Sequence, residues 1–172
     1  ITMPGEFALF TNTQLETYTL LQGSVQEVSG TLDGNQHWVS TYQYRITDNL
    51  TLSSGDTLVI DPGVEILFMN QSEFNVYGLL QGNGTEQDSI LFSSGVPTKS
   101  PGDWTHIKLY SSADNSYLNY TIIEYGVNGL YLNDPDGVVI NQSSIRYNLS
   151  DGIYSNSSDL LTINGSDVYH NN

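Results

Sequence analysis

Four cationic side chains, Arg45, Lys99, Lys108 and Arg146, face 19 acids in this 172-residue chain, so acid–base chemistry would have to be built around one of them. Arg146 is the best placed. Glu124 precedes it and Asp167 follows it at sequence offsets of 22 and 21, which bring the three side by side if the chain winds with a period near 22. An acid–base–acid row suits sugar chemistry, in which a base abstracts a proton or paired carboxylates cleave a glycosidic bond. It also suits a surface ion-pair ladder, each pair worth roughly 0.2–1 kcal/mol. The ladder is the expectation, and no catalytic residue is assigned.

Asn133-Asp134-Pro135-Asp136-Gly137 gathers two carboxylates, an amide and backbone carbonyls in one short stretch. Such a stretch suits a hard, oxygen-ligated cation. Asp134 and Asp136 are therefore candidate calcium ligands, and Ca²⁺ is the only cofactor these residues suggest. Asp and Gly are also the ordinary residues of a turn. His37, His106 and His170 lie too far apart in sequence for a metal spacing. Tyr125, Tyr147 and Tyr169 recur at a constant offset of 22, and Tyr131 and Tyr154 lie 23 apart. Rings aligned in this way could stack on sugar faces or, as the favoured reading, brace adjacent strands.

A formal charge of −15 repels phosphate backbones and anionic lipid, which argues against nucleic acid as a partner. No apolar run approaches the length of a membrane span, so no membrane insertion is expected either. With no Cys, disulfides, thiol nucleophiles and Cys-ligated metals are excluded together. Asn-x-Ser/Thr triplets stand at Asn49, Asn70, Asn83, Asn119, Asn141, Asn148, Asn156 and Asn164, against about three expected by chance. The excess points to a secreted, N-glycosylated chain. A turn-rich chain full of Asn and Ser produces the same triplets for backbone reasons. Asn141 and Asn164 also fall in repeat register, and an interior amide ladder there would compete with glycosylation.

The elements that position these residues repeat. Ile140-Asn141-Gln142-Ser143-Ser144-Ile145-Arg146-Tyr147-Asn148 returns at an offset of 23 as Ile163-Asn164-Gly165-Ser166-Asp167-Val168-Tyr169-His170-Asn171, and Leu118-Asn119-Tyr120-Thr121 precedes it by 22. Within each period, apolar residues alternate over three to five positions and then break at Asn, Gly, Asp or Ser, which is strand periodicity. A fixed period near 22 made of short strands is the mark of a parallel β-solenoid, whose coils bury their apolar face only by stacking. An antiparallel sandwich has no reason to repeat residue types at a fixed interval. The expected fold is all-β, with residues 42–172 forming five to six coils. Residues 1–41 show no copy of the repeat and read as an N-terminal extension and cap.

One segment is more specific. It runs Ser54-Gly55-Asp56-Thr57-Leu58-Val59-Ile60-Asp61-Pro62-Gly63-Val64-Glu65-Ile66, with Phe68, then Phe74-Asn75-Val76-Tyr77-Gly78-Leu79-Leu80, Gly84-Thr85 and Ser89-Ile90-Leu91-Phe92, followed by Gly102-Asp103-Trp104 and Asn-rich coils. This order, with Ser29-Gly30-Thr31-Leu32 and Trp38 upstream, resembles the right-handed parallel β-helix (pectate-lyase-like) domains of prokaryotic, notably archaeal, cell-surface proteins. Gln81 departs from the small residue more common there. The resemblance covers about residues 29–172 and implies a right-handed β-helix. It leaves function open, because the same coils occur in lyases, surface layers and adhesins.

By elimination, the expected function is a non-catalytic extracellular glycoprotein at the cell surface, a subunit of a self-assembling layer, sheath or filament. Its partners would be further copies of itself, in a polymer or lattice, and covalent glycans. The terminal repeat would offer an unpaired edge, and the alternations Phe7/Leu9 and Tyr18/Leu20 in residues 1–28 could add a strand to a neighbour. The alternative is a carbohydrate-binding or polysaccharide-processing module of a secreted enzyme.

Overall fold

The computed structural model describes residues 24–172. Phe7/Leu9 and Tyr18/Leu20 lie outside the described residues. Seventeen strands and no helix make up the described chain. They are β1 Ser24–Leu32, β2 Gln36–Trp38, β3 Tyr42–Leu52, β4 Thr57–Ile60, β5 Glu65–Phe68, β6 Phe74–Val76, β7 Leu79–Asn83, β8 Ile90–Ser94 and β9 Ile107–Tyr110. There follow β10 Tyr117–Asn119, β11 Thr121–Glu124, β12 Leu130–Asn133, β13 Val139–Asn141, β14 Ser144–Arg146, β15 Ile153–Asn156, β16 Thr162–Asn164 and β17 Asp167–Tyr169.

Every pairing between these strands is parallel, and the strand order describes a β-solenoid of about 6 turns. Three columns of strands run along it. The first is β1–β3–β5–β8–β11–β14–β17, the second β1–β3–β6–β9–β12–β15, and the third β2–β4–β7–β10–β13–β16. The long strands β1 and β3 bend through the first two columns and join them into one 11-stranded sheet, while the third column is a separate 6-stranded sheet. Because β1 pairs with β3 and β2 with β4, the solenoid reaches back to Ser24. β1 and β2, which precede residue 42, thus lie over the first regular coil. The first coil is short, with Ser24 opposite Tyr42 and Leu32 opposite Leu52, offsets of 18 and 20 that hide it from a search at 22–23.

The interior follows from alternation. Inward residues such as Ile46, Phe68, Phe92, Ile107, Leu130 and Ile140 are fully buried, and each stacks on its equivalent one coil away. A buried Leu or Ile contributes about 1.5–3 kcal/mol, so the few in one coil could not alone offset the entropy of ordering that coil's backbone. Stacking makes the core continuous. Trp104 anchors its middle: the ring lies 4.0 Å from Phe68 with an interplanar angle of 8°, and its Nε1–H donates to the Glu124 carbonyl at 2.9 Å.

Candidate functional site

Four groups of residues carry the expected chemistry, and the coil register decides what each becomes. Glu124 on β11 lies directly opposite Arg146 on β14, and Arg146 lies opposite Tyr169 on β17. Asp167 pairs instead with Ser144. The expected acid–base–acid row is therefore corrected to Glu124–Arg146–Tyr169. The step from β14 to β17 is an offset of 23, and Asp167 falls two short of it.

Glu124 is 7% exposed and fully engaged. Arg146 donates to Oε2 from Nε at 3.0 Å and lies within 2.9 Å through Nη2. On the other oxygen, Ser93 Oγ donates to Oε1 at 3.0 Å, and the Lys99 ammonium stands 3.8 Å away. Lys99 also donates to Ser93 Oγ at 2.9 Å. A serine beside a lysine could form a nucleophile and base, but here the Lys99 ammonium faces the Glu124 carboxylate. Ser93 is 0% exposed, so no substrate could reach its oxygen in this arrangement. Burial works against the charge on Arg146, yet its bonds to Tyr169 and Glu124 outweigh it and hold the guanidinium above its ordinary pKa. A proton-accepting role for Arg146 is thereby disfavoured. Tyr169 moves the other way, its phenol lowered first by the hydrogen bond that Arg146 donates to it.

The rings form two ladders. Tyr125 and Tyr147 stack at 5.8 Å, but the next stacked member is His170, 5.4 Å from Tyr147 with its ring plane within 5° of parallel. Tyr169 meets Tyr147 only edge-on, so the expected third rung is corrected by the same lengthening of the coil. Tyr125, Tyr147 and His170 all hold positive φ, at 66°, 55° and 52°, a conformation costing about 1–2 kcal/mol for an L-residue. The interior amides beside them compensate: Gly126 N–H donates to Asn148 Oδ1 at 2.8 Å and Asn148 N–H to Asn171 Oδ1 at 3.0 Å.

The second ladder covers the middle column. Tyr77 stacks on Tyr110 at 4.1 Å and Tyr131 packs on Tyr154 at 4.7 Å. Lys108 lies between the two pairs, 4.9 Å from the Tyr110 ring and 4.5 Å from the Tyr131 ring. Sequence reasoning missed this Tyr77–Tyr110–Lys108 stretch, because the longer β8–β9 connection sets Tyr77 and Tyr110 well beyond one period apart. Between coils the rings meet other rings or an ammonium, while Tyr154, on the last strand of the column, is 42% exposed. That geometry braces coils better than it stacks on sugars. His106 sits beside the ladder, 5.5 Å from Tyr131 and 3.4 Å from Glu73 Oε2. Burial lowers its imidazole pKa, with Glu73 raising it less and Lys108 lowering it further.

The Asn-x-Ser/Thr triplets of the third column turn out to be corners of the coil. Asn83, Asn119, Asn141 and Asn164 stand in one outward row, with Asn164 Nδ2 donating to Asn141 Oδ1 at 3.0 Å. The middle residues Tyr120, Gln142 and Gly165 take φ of 43°, 51° and 57°, turning the chain. The third residue points inward: Ser143 Oγ donates to the Asn141 carbonyl at 2.9 Å and accepts the Thr121 N–H at 3.0 Å. Ser166 repeats both contacts one coil on. Gly84 fills the same middle position where the next coil passes closely, since a Cβ there would lie 2.5 Å from the Asn119 and Tyr120 carbonyls. Backbone geometry thus accounts for these triplets without a glycan. Asn148 is 1% exposed and its Nδ2 donates to Asn171 Oδ1 at 2.9 Å, so in the folded chain this amide is buried between coils. Asn49, Asn70 and Asn156 are exposed.

Asp134 and Asp136 are both exposed. Asp136 belongs to a carboxylate ladder in which Asp114 Oδ1 accepts the Asp136 N–H at 2.7 Å and Asp136 Oδ1 accepts the Asp159 N–H at 2.9 Å. Among the described residues no three His, Cys, Asp or Glu side chains come together as a metal site. The chain matches no family model, no curated protein and no solved structure in the comparisons made.

Proposed function

We propose that this chain is a non-catalytic structural module of the cell surface, a stiff β-solenoid that associates with copies of itself into a layer, sheath or filament. One observation carries the reading: the side chains with chemical potential connect one coil to the next. Glu124 joins Ser93, Lys99 and Arg146, the tyrosines pack on rings, and Asp and Ser oxygens accept N–H groups one coil away. These contacts favour a scaffold over an enzyme.

Extracellular placement draws support from a formal charge of −15 with only 4 Lys+Arg and from the exposed triplet residues Asn49, Asn70 and Asn156, which are accessible to glycans. A kinship with archaeal surface β-helix domains is part of the same proposal and rests on the segment from Ser54 to Phe92. Light scattering and electron microscopy of the purified chain at neutral pH, with and without millimolar Ca²⁺, test the reading. Ordered polymers are expected, and calcium-dependent polymers would make Asp134 and Asp136 ligands. A stable monomer under both conditions overturns it.

A further inference from the structure

Among the described residues, the closest pair of tyrosine rings lies on the outer face of the middle column. Tyr77 and Tyr110 stack with centroids 4.1 Å apart and planes within 11° of parallel. The corresponding values are 4.7 Å and 38° for Tyr131 and Tyr154, and the Tyr125 and Tyr147 rings are 5.8 Å apart. Tyr77 and Tyr110 directly follow Val76 and Leu109, which face each other on β6 and β9. The two side chains therefore leave adjacent parallel strands in the same direction, phenol beside phenol. The hydroxyls interact as well, since the Tyr77 phenol is raised above its ordinary pKa first by its hydrogen bond with Tyr110. Further polar contacts fix this placement. Tyr110 Oη donates to Asn75 Oδ1 at 3.1 Å, Asn75 Nδ2 donates to Glu73 Oε1 at 2.8 Å, and Ser112 Oγ donates to the Tyr77 carbonyl at 2.7 Å. Both rings are only half-buried.

We propose that Tyr77 and Tyr110 form an oxidative cross-linking site, coupled into dityrosine by a haem peroxidase with hydrogen peroxide as the oxidant. Each phenol loses one electron and its hydroxyl proton, which leaves two phenoxyl radicals with unpaired density on the carbons ortho to oxygen. The parallel stack brings these carbons together, and one carbon–carbon bond forms between the rings. The hydrogens on the joined carbons shift to the two oxygens as the rings regain aromaticity. The two electrons and two protons removed reduce one hydrogen peroxide to two waters. Coupling needs proximity, and the stack supplies it within one chain. Competing sinks are poorly placed. The chain has no Cys, the most readily oxidised side chain, and Trp38 and Trp104 are 4% and 0% exposed. Tyr131 and Tyr154 are farther apart and tilted, and the Lys108 ammonium lies 4.5 Å from the Tyr131 ring. The new bond closes the coil that contains the long β8–β9 connection. It turns a stacking brace into a covalent one and requires no second copy, so it stands or falls apart from self-association.

The full chain, dilute and at neutral pH, is treated with a haem peroxidase and hydrogen peroxide, then analysed by fluorescence, intact mass and peptide mapping. The expected main product is a monomer lighter by two hydrogen atoms, with dityrosine fluorescence and a Tyr77–Tyr110 linked peptide. Tyr110→Phe keeps the ring but has no phenol to oxidise, and should lose most of that fluorescence while its circular dichroism spectrum stays that of the unsubstituted chain. In urea, where the stack is gone, the unsubstituted chain should lose its preference for this pair. An equal Tyr77–Tyr110 yield in the folded and urea-unfolded chains overturns the assignment, as does a main link at Tyr131–Tyr154 or between chains. No dityrosine in the folded chain, while free tyrosine couples in the same mixture, overturns it as well.

Discussion

Arg146 holds one oxygen of Glu124 with two of its nitrogens, Nε at 3.0 Å and Nη2 at 2.9 Å. The pair spans one coil step, and on the opposite side Ser93 and Lys99 take the second oxygen. A buried carboxylate thus ties three successive coils, because Ser93 on β8, Glu124 on β11 and Arg146 on β14 are consecutive in the first column. Removing one partner of such a pair leaves a desolvated charge, which costs more than the pair contributes when intact.

Arg146→Met is accordingly expected to destabilise the chain by about 2–3 kcal/mol, less than a fully isolated charge because Lys99 remains. Adding Glu124→Gln should recover part of the loss, as residues in contact are non-additive by about 0.5–3 kcal/mol. Urea unfolding of the two single variants and the double variant measures this. Equal and additive losses would show that the cluster is uncoupled.

Trp104→Ala should be more severe. The ring is fully buried, stacks on Phe68 and satisfies the Glu124 carbonyl, and truncation of a buried aromatic costs about 3–5 kcal/mol. Thermal unfolding followed by near-ultraviolet circular dichroism reads the loss directly.

Asn148→Ala removes the acceptor for Gly126 N–H and a donor to Asn171, at a position that also supports positive φ in Tyr147 and His170. A loss of about 2 kcal/mol is expected from the buried groups left unpaired. Asn156→Ala, at an exposed site, should change stability by less than about 0.5 kcal/mol. Peptide mapping of the natively produced chain should find Asn148 unmodified.

Stability should decline on mild acidification through His106. Its folded pKa lies below the ordinary value of 6.5, first because of burial, so the unfolded chain binds the proton more readily. The stabilising contribution is therefore complete above about pH 6.5 and is lost as pH falls toward the folded pKa. His106→Asn should flatten the difference in urea midpoint between pH 7 and pH 5.5. An unchanged slope would assign the acid sensitivity to other groups.

The architecture is legible in the sequence because the stacked rows repeat residue types: Leu118, Ile140 and Ile163 share one row, and Asn119, Asn141 and Asn164 the next. Coil length is not legible in the same way. The turns between strands absorb an extra residue without disturbing the alternation, so spacing alone sets Asp167 beside Arg146 and Tyr169 beside Tyr147, where the register places Tyr169 and His170. β1, which pairs with β3 at offsets of 18 to 20, escapes a fixed period, although β2 pairs with β4 at 22, and Tyr77 and Tyr110 escape it across the long β8–β9 connection. The triplets illustrate a different limit. Asn-x-Ser describes a glycan acceptor and a solenoid corner equally well, and only the inward Ser143 and Ser166 hydroxyls distinguish the second use.

The most direct measurement of the central claim is the mass and shape of the purified full chain at neutral pH, by light scattering combined with electron microscopy. Ordered layers, sheaths or filaments are the expected result. A monodisperse particle of 19.0 kDa across the concentration range contradicts a self-assembling structural role.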